Sequence, residues 1–194
     1  GCVLGYDLIA DEMKDKELSE LVRRIGLVEG MPVVTNPGII DPVKFADEVI
    51  NVRIPNPFMP DTPQRIATDT SQKVGIRYGE TIKSYVAKDG SARALTAIPL
   101  AIAGWCRYLL GIDDNGEAFE LSPDPMADEL KCQLDGIVWG ESSSYTGQLK
   151  NLLSNANIFG INLYEAGIGD KIEEMFVEEI SGKGAIRETL KKYL

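Results

Sequence analysis

LTAIPLAIAGWC, Leu95 to Cys106, is the most apolar stretch of the chain, and its reading sets the fold class. It ends at Arg107, well short of the about 20 apolar residues that cross a bilayer, so a buried core helix within Ala92 to Leu110 is predicted rather than a membrane span. Working outward, apolar residues recur at helical spacing in nearly every segment with any period. Leu18, Leu21, Val22 and Ile25 form one face after Asp15, a predicted N-cap. Asp41-Pro42 reads as a cap followed by proline at the first helical position, with Phe45, Ala46, Val49 and Ile50 as the buried stripe. Further helices are predicted from Pro63, with Asp61 or Thr62 able to cap, from Ser122-Pro123, over Tyr145 to Leu153, over Gly169 to Ile180 with Ile172, Met175, Phe176 and Ile180 facing the core, and over Gly184 to Tyr193.

Between these elements the punctuation is equally local. GMPVVTNPGIID is a connection in which Val33-Val34 could form a short extended piece. RIPNPFMP, Arg53 to Pro60, cannot be helical, because each proline removes a donor and pushes its predecessor toward extended geometry. Only AFEL, Ala118 to Leu121, after the Asp113-Asp114-Asn115-Gly116 turn, reads as a strand. The expected fold is therefore mainly α, one domain over residues 1–194.

Composition narrows the function classes. With 20 Lys+Arg against 30 Asp+Glu, the net charge is −10, and no basic run offsets it, which argues against nucleic acid as a partner. Cys2, Cys106 and Cys132 are widely spaced and there is no histidine, so neither a zinc site nor a disulfide framework is expected, and a reducing, cytoplasmic compartment fits. The lack of histidine also excludes Ser-His and Cys-His catalysis within these residues. Gly1 to Gly5 carries no basic n-region of a signal peptide, and the missing initiator Met leads us to expect a fragment of a longer protein.

Most motif candidates are weak. AGIGDKI, Ala166 to Ile172, has a GxG before a helix but lacks the third glycine and the preceding strand of a dinucleotide fingerprint, and reads as a loop feeding a helix. GKGAIRETLKK lacks the spacer and the Ser/Thr of a phosphate loop. The carboxylates of DEMKDKE and KIEEMFVEE follow the polar faces of helices and read as solvated.

One constellation remains. In DTPQRIATDTSQK, Asp61 to Lys73, Arg65 and Lys73 lie eight positions apart around Thr68-Asp69-Thr70-Ser71. On an unbroken helix they would be ~12 Å apart along the axis and roughly 80° around it. If the four polar residues break the helix by competing for backbone hydrogen bonds, the two heads could approach each other. A guanidinium fork and a mobile ammonium suit a ligand rich in hydroxyl or carboxylate oxygens. The structural alternative is exposed salt-bridging to Asp61, Asp69 or Glu80.

RIPNPFMPDTPQRIATDTSQKVGIRYGETIKSY resembles the Arg-Ile/Phe-x-Asn-Pro … Asp … Arg … Ser-x-Lys segment of the long-chain mannitol dehydrogenase family, which groups polyol and hexuronate dehydrogenases. The likeness continues through YLLGIDDNGEAFELSPDP and SNANIFGINLYEAGIGDKIEEMF. It implies a multi-helical C-terminal substrate domain whose N-terminal Rossmann domain is absent from this chain. The family's catalytic Lys, Asn and His would fall before Gly1, so no catalytic residue is assigned and the chain alone is expected to be inactive. Arg65 and Lys73 match the family's substrate-site arginine and lysine, the first near the reacting oxygen and the second on a more distant hydroxyl. Arg53, Asn56 and Pro57 also match, but read as turn geometry. The implied activity is hydride transfer between a secondary alcohol of a polyol or aldonate and NAD or NADP, without metal, the cofactor being held mainly by the Rossmann domain. Mannitol/fructose and mannonate/fructuronate pairs both stay open, with Lys73, Arg77 or Lys83 able to serve either. The competing expectation is a free-standing helical module that binds a protein partner without catalysis.

Overall fold

A computed structural model describes residues 1–194. Its regular elements are helices: α1 (Ile9–Glu12), α2 (Lys16–Arg23), α3 (Pro42–Glu48), α4 (Pro63–Ala67), α5 (Thr70–Val74), α6 (Glu80–Asp89), α7 (Ala97–Tyr108), α8 (Ala127–Gln133), α9 (Lys150–Leu153), α10 (Ala156–Phe159), α11 (Gly169–Glu179) and α12 (Ala185–Tyr193). Wider π-helical turns extend α2, α3 and α5 over Arg24–Gly30, Val49–Arg53 and Gly75–Gly79. No helix is long and apolar enough to cross a membrane.

The core forms where α7 meets α11, with α12 and the Arg24–Gly30 turn against α7. Ile98, Leu100, Ile102, Ala103 and Cys106 of α7 are at most 1% exposed, and Ile172, Met175, Phe176 and Ile180 are fully buried opposite them. Burying each large side chain contributes about 1.5–3 kcal/mol, which is why this pair organises the domain. Pro99 is harmless because it lies in the first turn of α7, where N–H groups have no intrahelical acceptor.

That first turn is held from outside the helix. Thr96 provides no side-chain cap. Instead Glu29, in the π-helical turn, accepts from the N–H groups of Thr96 (2.6 Å) and Ala97 (2.7 Å) at Oε1 and of Ile98 (2.8 Å) at Oε2. A buried carboxylate thus meets the positive end of the central helix. The Tyr85 hydroxyl donates to the Glu29 carbonyl at 3.0 Å, tying α6 to the same turn.

A second close contact positions α5 and α6. A Cβ on Gly75 would lie 1.9 Å from the Ile158 carbonyl oxygen, and one on Gly79 2.0 Å from that of Phe159. Only glycine at both positions lets this turn lie against the backbone of α10.

The locally encoded caps form, with Thr62 rather than Asp61 taking the position before Pro63. Asp15 accepts from Glu17 N (3.0 Å) and Leu18 N (3.1 Å), Asp41 from Val43 N (2.9 Å) and Lys44 N (3.2 Å), and Thr62 Oγ1 from Arg65 N (3.1 Å). Other expectations need correction. AFEL makes a single bridge, Ile112 with Ala118, and no strand, because Phe119 packs on Tyr108 (ring centroids 5.6 Å apart) and no neighbouring strand is there to pair. Of the stripe expected along α3 only Ile50, in the π-helical turn that extends it, is buried, and Phe45 is 47% exposed, since α3 has no layer over its outer face. The Tyr145 to Leu153 helix shrinks to α9, and α8 starts at Ala127 rather than near Ser122. Val33 belongs to a 3-10 turn and only Val34 is extended. Glu179 of KIEEMFVEE, expected on a solvated face, is 1% exposed because α7 and α12 cover α11 on that side.

Candidate functional site

The stretch carrying Arg65 and Lys73 does break. Thr68 is extended (φ −56°, ψ 136°) and Asp69 adopts a left-handed conformation at φ +53°, the only non-glycine residue with positive φ. The loop that precedes α8 holds the break in place. Asp69 N–H donates to the Pro123 carbonyl at 2.9 Å, and Asp124 accepts from Ser71 N (2.8 Å) and Ser71 Oγ (2.5 Å). Asp and Asn tolerate the left-handed region better than other residues, so Asp69 supplies this corner at modest cost.

Despite the break, the two cations diverge. The Arg65 side chain is 73% exposed and forms a two-point ion pair with Asp61, one turn earlier, with Nε to Oδ1 at 2.5 Å and Nη2 to Oδ2. The hydrogen bonds from Arg65 hold the Asp61 carboxyl below its usual range, and Asp61 raises the guanidinium in return. Arg65 borders a shallow depression with Gln64, Thr68 and Glu120. Lys73 folds back over the other end of α4, where Nζ donates to the carbonyls of Thr68 and of Ile66 (3.3 Å), carbonyls that the end of α4 leaves open. It also lines a separate cavity of about 320 Å³ between α1, α2, α4, α5 and α7. In this arrangement Arg65 and Lys73 are not brought to one cavity. Lys83 is also apart, paired with Glu80.

The Lys73 cavity gathers residues that motif reading does not single out. Arg77, Thr70 and Glu12 lie with Lys73 in its lining, and Trp105 and Glu179 also face it. Arg77 is one of the cations that the sequence offers to a substrate, but Trp105 and Glu179 carry no signal there, since one sits in an apolar run and the other among helix-surface acids. Burial pushes the Glu179 carboxyl well above the ordinary carboxylate value, against the pull of the Arg107 charge. Arg107 is itself fully buried, donating to the carbonyls of Glu179 (3.2 Å), Ile112 (2.6 Å) and Asp113 (3.0 Å).

No dinucleotide cradle forms at AGIGDKI. A Cβ on Gly167 would lie 2.9 Å from Arg93 Cγ and one on Gly169 2.4 Å from Tyr164 Cδ1, so side chains already occupy the space over both glycines. A pyrophosphate needs open backbone there, which these residues do not offer.

The profile of the mannitol dehydrogenase C-terminal domain matches residues 1–180. The D-mannonate oxidoreductase of Thermotoga maritima is 55% identical over 193 residues, covering 99% of this chain and 36% of the relative. An uncharacterized oxidoreductase of Escherichia coli K12, YeiQ, is 31% identical over 163 residues, covering 84% of this chain and 31% of its own length. Among solved structures, the Pseudomonas fluorescens mannitol 2-dehydrogenase in ternary complex with NAD and D-mannitol superposes with a TM-score of 0.78 at 21% identity, covering 99% of this chain and 36% of that one, a likeness of fold. The chain therefore spans only about a third of the length of these relatives, at their helical C-terminal end, and it belongs to the mannitol dehydrogenase C-terminal domain family.

Proposed function

We propose that the chain is the substrate-side domain of a cytoplasmic oxidoreductase that interconverts the secondary alcohol of an aldonate and its ketone, mannonate and fructuronate being the favoured pair over mannitol and fructose. The observation that carries this reading is the 55% identity to a D-mannonate oxidoreductase over nearly the whole chain. Such a reaction needs a hydride acceptor, NAD or NADP, which the rest of the full-length protein would bind for the most part, in keeping with the covered glycines of AGIGDKI. The chain alone is then expected to be inactive.

Within this domain, Lys73 and Arg65 would hold the substrate. Lys73 already borders a cavity, and its ammonium is engaged only by backbone carbonyls, which a substrate hydroxyl or carboxylate could replace. Arg65 lies on the surface with a single acidic partner, so its fork is free to exchange Asp61 for a substrate oxygen. A guanidinium beside the reacting oxygen would favour negative charge developing there.

Arg65→Ala in the full-length enzyme is expected to lower kcat/KM for fructuronate reduction by ~100-fold or more, while the melting temperature barely moves because exposed ion pairs contribute little. Unchanged turnover with a lowered melting temperature would make Arg65 a structural residue. Activity on mannitol but not on mannonate would reassign the substrate.

A further inference from the structure

Gly75 and Gly79 press one side of their π-helical turn onto the backbone of α10, so closely that neither position has room for a Cβ. At about 100° per residue, a position two residues from a clamped glycine lies roughly 160–200° round the axis, on the opposite side. Lys73, two before Gly75, and Arg77, midway between the glycines, are such positions. With Thr70 and Val74 they line the cavity of about 320 Å³, a volume at the lower end of small-ligand sites. The backbone beneath both cations is therefore fixed before any ligand arrives, which removes part of the ordering cost of binding. Wider turns of this kind inside α-helices recur at functional sites.

Arg77 is uncommitted. Arg23, Arg24, Arg65 and Arg187 each pair with a carboxylate, and Arg107 donates to three carbonyls. Arg77 is exposed and makes neither an ion pair nor a side-chain hydrogen bond. Arg53 and Arg93 also lack an ion pair, but neither lines this cavity. Lys83 is paired with Glu80, and Lys73 already donates to the carbonyls of Thr68 and Ile66. The acids of the lining are Glu12 and Glu179, and burial pushes the Glu179 carboxyl well above its ordinary value, away from a negative charge. The two cations are thus left with an excess of positive charge, in a chain whose net charge is −10.

An aldonate and the matching hexitol differ at one terminal carbon, a carboxylate in the acid and a hydroxymethyl group in the alcohol. Of 24 lining residues 16 are hydrophobic, so a carboxylate entering here leaves water for walls that mostly cannot replace it, and it needs a cation with free donors. An arginine fork meets both carboxylate oxygens at once, a geometry that a hydroxymethyl group cannot use.

We propose that Arg77 is the specificity-determining residue of this domain, its guanidinium holding the terminal carboxylate of the sugar acid while Lys73 takes a hydroxyl of the same molecule. Arg77 thereby sets the preference for the acid over the alcohol. This rests on the reading of the chain as the substrate-side domain of an aldonate oxidoreductase. It adds a residue outside the pair, Arg65 and Lys73, that matches the family's substrate site.

Fructuronate and fructose compared in the full-length enzyme test the assignment, because the two ketones differ only at the terminus that Arg77 would hold. Arg77→Gln is expected to lower the ratio of kcat/KM for fructuronate to that for fructose by ~100-fold, as loss of one partner of a desolvated charge pair does. The loss should fall mainly on KM for fructuronate, since the carboxylate is remote from the reacting carbon and keeps its charge through the reaction. Arg77→Lys keeps the charge without the fork and should lie between, ~10-fold below the parent. Should Arg77→Gln fail to fold, the Lys variant alone decides. Where the parent does not reduce fructose, the inhibition constants of mannonate and mannitol supply the same ratio. A ratio that stays within ~2-fold of the parent, whether because neither activity falls or because both fall together, would overturn the proposal and leave the aldonate reading intact. A parent without activity on fructuronate would instead refute that reading, and the role of Arg77 with it.

Discussion

Replacing Glu29 tests whether the central helix is anchored through its N-terminus. In Glu29→Ala the N–H groups of Thr96, Ala97 and Ile98 lose their acceptors together, and the bonds at Ala97 and Ile98 are buried. Hydrogen bonds to charged groups contribute about 1.5–3 kcal/mol each, and a carboxylate at a helix N-terminus adds up to about 2 kcal/mol in partly buried geometry. The three bonds share one side chain and are not additive, and some water will reach the vacated site. The expected loss is therefore about 3–5 kcal/mol, within the range for leaving two buried N–H donors unsatisfied at about 1–3 kcal/mol each. For a domain of this size that corresponds to roughly 6–20 °C in Tm. Glu29→Gln separates charge from geometry. Its carbonyl can replace Oε1 and keep the bonds to Thr96 and Ala97, but its amide then faces the Ile98 N–H, so about 1.5–3 kcal/mol should be lost. Urea titrations followed by circular dichroism at 222 nm and by Trp fluorescence would measure both. If Glu29→Ala falls within about 0.5 kcal/mol of the parent, as an unremarkable surface substitution would, the carboxylate does not anchor α7, and the helix is held by its apolar contacts alone.

Other expectations follow from the same contacts. Gly75→Ala and Gly79→Ala each drive a methyl group into a carbonyl of α10, so each should cost about 2–3 kcal/mol by urea titration, the upper part of the range for overpacking, and a loss below about 0.5 kcal/mol would mean that α10 yields easily. Asp15 gives a pH signature. Burial pushes its carboxyl up, but the Tyr6 hydroxyl, the Leu18 N–H and Arg187 outweigh that and hold it at about 2, below its ordinary 3.8. A depressed carboxyl stabilises the fold fully above its unfolded value and loses that contribution as pH falls through the folded one. Asp15→Asn, which keeps an N-cap acceptor, should therefore lower the urea midpoint at pH 7, with the gap to the parent closing between about pH 4 and pH 2. A gap that stays constant across this interval would assign the effect to packing.

What could be read from the sequence had its causes close along the chain. The caps at Asp15, Asp41 and Thr62 bond N–H groups two or three residues on, and the α11 stripe of Ile172, Met175, Phe176 and Ile180 is a one-turn periodicity that any core would cover. The break after Ala67 belongs with these in part: Thr70 Oγ1 donates locally to the Ala67 carbonyl, while the Pro123 carbonyl and Asp124 hold the corner from the loop before α8. So does the Asp61 to Arg65 pair, which joins residues one turn apart. The spacing of Arg65 and Lys73 was legible as a motif, but where their heads point was not.

Tertiary structure decided whatever depends on residues brought together from far along the chain. Glu29 is 67 positions from the Thr96 N–H it accepts, and nothing near it in sequence marks it as a cap. Arg107 looks like the polar end of an apolar run, yet it is fully buried because the carbonyls of Ile112, Asp113 and Glu179 converge on its fork. Phe45 has the spacing of a core residue and stays half exposed, since the Arg24–Gly30 turn that packs against α3 leaves it uncovered. A helical period gives the direction of a face and not what lies opposite it. Glu179 shows the physical reason: the same carboxyl would be a solvated surface group on an isolated helix, and becomes a buried acid only because α7 and α12 close over α11.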